Sequence, residues 1–405
     1  MEAFVRLNRV GLLAVVSLCG ACSEPAPGAS ASASVGASVK TSSAPVVEAP
    51  AAKTIELDPE VQKLVKAAAE KCKTGDYDER VDECPAGEME AIGKYAKEKK
   101  PKNFHLTLAE MALTDGAKNK KIYVVALNAL GNHVEAGGRE WTKASATPEV
   151  VERTLKLITS APENYGDYLS GAAKLGWAAG KFDETVAALK ASKAKVRRNG
   201  FYGILALGGT AGLPTARSLA KDTALKPEER AGAVRSVNGA VDPGFFGDNP
   251  VLPEADKTKA CDWVKELIND DTKEVADAAA DALSVCGSPY IDAALVGLTT
   301  RVEKEPASNS LIASVFHQCW GHAVVGRKPN GNMEQCKKAL ELVDKLSKKD
   351  PLQASDASWI SIVAGGIGGD CEDCKPKAKE ILGRFKDHKE KYVADGAKKE
   401  LDKLK

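Results

Sequence analysis

The sequence predicts an all-α fold. Three observations carry it: apolar residues recur at helical spacing along most of the body, Gly or Pro punctuates nearly every junction, and no alternating apolar–polar run of strand length recurs. The body from Lys53 to Lys405, roughly 350 residues, exceeds what one compact hydrophobic core usually serves, so two domains or an elongated repeat array are expected.

Taken in order, the first helix runs from Pro59 to Lys71: Asp58 precedes it as N-cap, Pro59 takes the first position, and Val61, Leu64, Val65 and Ala68 share a face. Pro85 to Lys99 follows. The same reading gives Asn119–Leu130, Pro148–Thr159, Tyr165–Ala179, Phe182–Ala191, Val196–Leu207, Leu213–Lys221 and Pro227–Asn238. The C-terminal half continues with Asp256–Ile268, Thr272–Val285, Pro289–Arg301, Ser308–Trp320, Met333–Leu346, Ser355–Ala364 and Pro376 to His388 or beyond. The glycine-rich runs Gly208–Gly212 and Gly365–Gly369 follow no strand and lack the Gly-Lys-Ser/Thr ending of a phosphate loop, so they read as helix caps and interhelical turns. Acid pairs read as charged helix faces, and the lysines from Lys375 to Lys391 as the solvated face of a final helix.

Internal echoes point to repeats. Glu274 and Val275 precede an Ala-rich face, Ala276 to Leu283, which ends at Gly287. Weaker echoes begin at Tyr123, Gly200, Arg230, Leu311 and Trp359, mostly about 30 to 45 residues apart. The pattern resembles the second helix of HEAT repeats, and Leu175 to Leu189 resembles a tetratricopeptide hairpin, with Thr185 where that family prefers Ala. The resemblance implies a HEAT-like α-solenoid of antiparallel helix pairs over residues 53–405.

The N-terminus carries an address. Arg6 and Arg9 precede a short apolar segment, Val10 to Leu18, and then Gly20 and Ala21 stand before Cys22. That segment is too short to cross a bilayer comfortably and reads as a removable export signal. It resembles a bacterial lipoprotein signal, with Cys19 where the family usually has an aliphatic residue. The resemblance implies cleavage after residue 21, lipidation of Cys22, and an envelope location at the outer membrane, since Ser23 and not Asp follows the cysteine. Residues 22–52 are almost entirely Ala, Ser, Pro, Gly and Val, a composition that cannot bury enough apolar surface to order itself, and they read as a disordered tether.

Eight further cysteines then follow the helix boundaries. Cys72 ends one helix and Cys84 precedes the next; Cys261 lies near the start of one helix and Cys286 ends its successor, while Cys319 ends a helix and Cys336 begins the following one. Adjoining ends of antiparallel hairpins place the pairs 72–84, 261–286 and 319–336 together, and disulfides persist in an exported, oxidising compartment. Cys371 and Cys374 complete the set. A C-x-x-C pair at a helix start can be redox-active, but Glu372 and Asp373 disfavour a thiolate and no strand precedes the motif, so a structural bridge is expected. A metal reading of Cys319, His322 and Cys336 gives way because a bridge between Cys319 and Cys336 explains the two cysteines without a metal.

The charge balance, +1 overall with 28% charged residues, excludes the basic surplus of a nucleic-acid binder. No cofactor motif is present. The expected function is a non-catalytic, membrane-tethered scaffold that binds an envelope protein, with a thiol–disulfide oxidoreductase using Cys371 and Cys374 as the alternative. Asp242 to Asp256 breaks the helical rhythm with three prolines and two adjacent aromatics in a chain with only 5% aromatics; Phe245 and Phe246 are the candidate partner-binding residues, the alternative being that they fold back to plug a gap between neighbouring repeats.

Overall fold

Helix α1 (Pro59–Lys71) starts where its cap dictates. Asp58 is extended, and its carboxylate accepts from the amides of Glu60 and Val61 at 3.0 and 2.9 Å. Val61, Val65, Ala68 and Ala69 are buried along one face. The computed structural model describes residues 55–73, 84–194, 200–201, 203–241, 252–320 and 331–405. Glu56–Lys405 forms one unit. Among the described residues there is no β-strand.

After α1 come α2 (Ala86–Lys99), α3 (Phe104–Leu113), the single turn α4 (Asp115–Lys118), α5 (Lys120–His133), α6 (Arg139–Ser145) and α7 (Pro148–Ser160). A 3-10 turn, Glu163–Leu169, leads into α8 (Ser170–Ala178), α9 (Phe182–Ala191) and the short α10 (Gly203–Ala206). Pairs then follow: α11 (Leu213–Lys221) with α12 (Pro227–Val241), α13 (Glu254–Lys265) with α14 (Lys273–Leu283), and α15 (Ser288–Lys304) with α16 (Asn309–Trp320). The last two are α17 (Met333–Leu346) with α18 (Ala354–Asp370), and α19 (Lys375–Gly383) with α20 (Lys391–Lys403).

Packing sorts the C-terminal helices into two rows. One row, α10–α12–α14–α16–α18–α20, is continuous, each helix lying against the next. The other, α13–α15–α17–α19, flanks it. Contacts along the central row keep sequence order: Arg230 reaches Thr272 and Arg235 reaches Asp281, while Lys273 reaches Ser308 and Asp281 reaches Ser314 and His317. The central helices are therefore parallel, as stacked helix pairs require. Partners across neighbouring repeats lie 33 to 46 residues apart, matching the spacing of the sequence echoes. The N-terminal third is less regular: α5 gathers α1, α2, α3 and α8 around it, and α3 also packs on α7.

Small side chains make the stack possible. Every residue of α14 from Val275 to Leu283 is buried, including five alanines, and α12 is buried throughout except at Pro227, Glu228 and Arg235. A helix closed in on all sides needs side chains short enough for neighbours to approach on each face. Trp177 and Trp263, both fully buried, fill the larger gaps, and the Trp177 indole donates to the Gly200 carbonyl at 2.7 Å.

Several elements depart from the sequence reading. Tyr165–Ala179 is not one helix, because Asn164, Gly166 and Asp167 are poor helix formers and the chain tightens to 3-10 there. α3 has no amphipathic stripe to read, since seven of its residues, His105 and Thr107 among them, are buried. The final segment stops at Gly383 and restarts at Lys391, so the lysines from Lys375 to Lys391 do not share one helical face. α13 begins at Glu254 after Pro253, inside the expected loop. Gly365–Gly369 is not a turn at all but the interior of α18. A Cβ on Gly365 would come within 2.7 Å of the Glu400 Cβ, and one on Gly368 within 2.5 Å of the Ala378 Cβ. These glycines let α20 and α19 press against α18. Gly208–Gly212 does connect helices, with Gly209–Gly212 as a 3-10 turn.

The contrast within α18 is testable. Gly368→Ala is expected to destabilise the protein by about 1–3 kcal/mol through overpacking, whereas Gly369→Ala, where the new Cβ meets nothing within 4 Å, is expected to stabilise it by up to about 1 kcal/mol through helix propensity. Denaturant unfolding of both variants checks this. Equal shifts in the same direction would mean that α18 is not closely packed at Gly368.

Candidate functional site

The cysteines pair as the hairpin reading requires. Cys72–Cys84, Cys261–Cys286, Cys319–Cys336 and Cys371–Cys374 are disulfides, with Cα separations of 4.1, 5.9, 4.6 and 5.1 Å. The last three share a pattern. Each joins the C-terminal end of a central helix (Cys286 just after α14, Cys319 in the last turn of α16, Cys371 capping α18) to a flanking helix, through Cys261 of α13, Cys336 of α17 and Cys374 at the N-cap of α19. His322 lies outside the described residues.

The Cys371–Cys374 pair was the one motif with redox potential in the sequence. The Cys371 amide donates to the Ile367 carbonyl at 3.0 Å and closes α18, and the Cys374 amide donates back to the Cys371 carbonyl at 2.9 Å. Glu372 pairs with Lys375 at 2.6 Å and Asp373 with Lys337 at 2.9 Å. Cys371 is 3% exposed and Cys374 2%. Exchange needs an attacking thiolate to reach a sulfur. Buried sulfurs beside two carboxylates suit a clasp between α18 and α19 better than a reagent.

A chain of charged residues crosses the central row. Asp277 and Asp281, one turn apart on the Ala-rich α14, are only 4% and 8% exposed, so these acids are not on a charged outer face. Arg301 meets Asp277 at 2.7 Å and Glu305 at 2.6 Å. Arg235 of α12 meets Asp281 at 3.3 Å, and the His317 Nδ1 of α16 lies 3.0 Å from the same carboxylate. Burial pushes the Asp277 carboxyl above its ordinary range even though Arg301 opposes that shift. Further along, burial would raise Asp344, but hydrogen bonds from Lys348, Arg384 and Lys377 outweigh it and bring its carboxyl to about 2. Spacing alone could not reveal these acids as buried, because acids at i and i+4 look the same on a solvated face. The signal available was context: Asp277 and Asp281 interrupt an otherwise apolar, Ala-rich run.

The solvent side of the C-terminal central helices carries aromatic groups. Phe316 and Trp320, one turn apart on α16, stack with centroids 5.9 Å apart and planes 15° apart. Phe316 leans over Gly366 of α18, and Ile362 on α18 is 48% exposed. Phe245, Phe246 and Cys22, the candidate partner-binding and lipidation residues, lie outside the described residues.

In the N-terminal third, His105 sits fully buried against Trp141, ring centroids 4.5 Å apart, with Phe104 edge-on at 5.4 Å. Its Nε2 donates to the Val134 carbonyl at 2.9 Å, which also accepts from the Thr142 hydroxyl, and its Nδ1 has no partner. Burial lowers its pKa to about 4, against the hydrogen bond to Val134, which raises it.

No family model matches the chain, and no curated protein matches it. Among solved structures, similar ones include two engineered proteins. One is 16% identical, covering 85% of this chain and 98% of its own, with a TM-score of 0.35; the other is 15% identical, covering 85% and 96%, with a TM-score of 0.22. Human deoxyhypusine hydroxylase in complex with glycerol is 12% identical over 78% of this chain and 96% of its own, with a TM-score of 0.25. At these values nothing is transferred from them to this chain.

Two measurements check the site chemistry. Non-reducing peptide mapping should recover the four sequential pairs, and opening the Cys72–Cys84 loop should cost about 3 kcal/mol on the chain-entropy model; crossed pairs would overturn the hairpin assignment. His105 is neutral in the folded state down to about pH 4 but protonates near 6.5 when unfolded. The unfolded state therefore binds more protons in that window, and stability falls as pH drops from about 6.5 to 4, by about 3 kcal/mol from this residue. Denaturant titrations across that range should show a flatter pH profile for His105→Gln; an unchanged profile would mean that His105 is not held neutral.

Proposed function

We propose that this protein is a lipid-anchored, non-catalytic helical-repeat scaffold that binds a protein partner in the bacterial envelope. The observation that supports it most is the two-row stack, in which each helix pair contacts its neighbours and the row offers an extended surface to a partner. The lipoprotein-like segment ending at Cys22 and the Ala/Ser/Pro tether support anchoring at the outer membrane. More than one acyl chain, as lipoproteins carry, makes anchoring stable. Phe245 and Phe246 are the residues proposed to meet the partner. The oxidoreductase alternative is disfavoured by the burial of Cys371 and Cys374.

Fractionation tests the anchor. Cys22→Ala should move the protein from the membrane to the soluble fraction, and membrane retention of that variant would sink the proposal. In-envelope crosslinking tests the scaffold role. Phe245→Ser with Phe246→Ser should abolish a crosslinked partner seen with the parent chain while leaving the melting temperature unchanged. Loss of melting temperature would mean the two rings belong to the core.

A further inference from the structure

The two ends of the central helices are held by different chemistry. At their C-terminal ends, three successive connections carry the bridges Cys261–Cys286, Cys319–Cys336 and Cys371–Cys374. Gln335 adds to this edge, donating to the Ser288 carbonyl and hydroxyl at 2.9 Å. Lys337–Asp373 lies there too, but its side chains are 39% and 60% exposed, and such a pair contributes little.

At the opposite edge, where flanking helices turn into central ones, no described bridge occurs and polar side chains tie one repeat to the next. Arg230 donates to the Ala220 carbonyl and the Thr272 hydroxyl, both at 2.7 Å, and meets Asp270 at 3.3 Å. Lys345 meets Glu303 at 3.2 Å, and Lys349 donates to the Glu303 carbonyl at 3.1 Å. Arg384 meets Asp344 at 2.6 Å. These contacts are non-covalent and can part and re-form, most readily the exposed Lys345–Glu303 pair, whereas a covalent bridge does not lengthen.

We infer that the array from α13 to α19 flexes about its disulfide edge: the bridged ends of the central helices act as a fixed spine, and breathing within and between helix pairs is confined to the ion-paired edge. The surface of the central row then widens or narrows by opening on one side only. The bridges act here on the native state, beyond their restriction of the unfolded chain.

Hydrogen exchange of the oxidised full-length chain, resolved by peptide, tests this. Removing one bridge with Cys261→Ser and Cys286→Ser should accelerate exchange at residues 284–288 by about tenfold or more while residues 270–273 stay within about twofold of the parent. Arg230→Met should do the reverse. Cys371→Ser with Cys374→Ser, read at residues 370–376, provides the same test should the first pair fail to fold. Equal acceleration at both edges would overturn the inference. So would a bridge variant that melts earlier with no local change in exchange, because the bridge would then act only through the unfolded state.

Discussion

The whole C-terminal array depends on how closely its central helices approach one another. α14 is enclosed by α12, α13, α15 and α16, and it tolerates this because five of its nine buried residues are alanine. Larger side chains there would hold the neighbours apart and break the parallel row on both sides. α18 solves the same problem differently, with glycines at the two places where α19 and α20 press in. Close approach removes water from both rows, and this is the driving force that the long tail of charged residues does not supply.

That closeness has a consequence for charge. Asp277 and Asp281 are taken out of water along with the alanines around them, and isolated buried carboxylates would be strongly unfavourable. Arg235, Arg301 and His317 approach from three different helices, so the partners of two acids on α14 fix the position of α12, α15 and α16 together. Breaking one partner leaves a buried charge uncompensated, which costs more than the pair contributes in net stability. The charged groups therefore act less as a source of stability than as a constraint on register between repeats.

The fold was legible in the sequence where pattern and packing coincide. Phe182–Ala191, Leu213–Lys221 and Met333–Leu346 match their expected limits, since amphipathic spacing and end signals agree there. Three cysteine pairs followed from helix ends and the fourth from the adjacency of Cys371 and Cys374, although Cys261 lies within α13 (Glu254–Lys265) and not near its start. α3 was missed because burial on every side erases the periodic signal, and the glycines of α18 were misread because a glycine needed for close approach looks the same in sequence as one needed for a turn. The buried acids of α14 were hidden for a related reason: spacing encodes which residues share a face, not whether that face meets water or another helix.

The central claim is that, from α11 onward, each helix pair packs on its neighbours in the stack. Zero-length crosslinking between lysines and carboxylates reads this directly, because it joins only groups already in contact. The account predicts products joining Lys190 to Asp222, Lys345 to Glu303 and Lys377 to Asp344, pairs held at 2.6, 3.2 and 3.0 Å. Intramolecular products joining α2 to α18, or α7 to α20, would contradict it and point to a closed helical bundle.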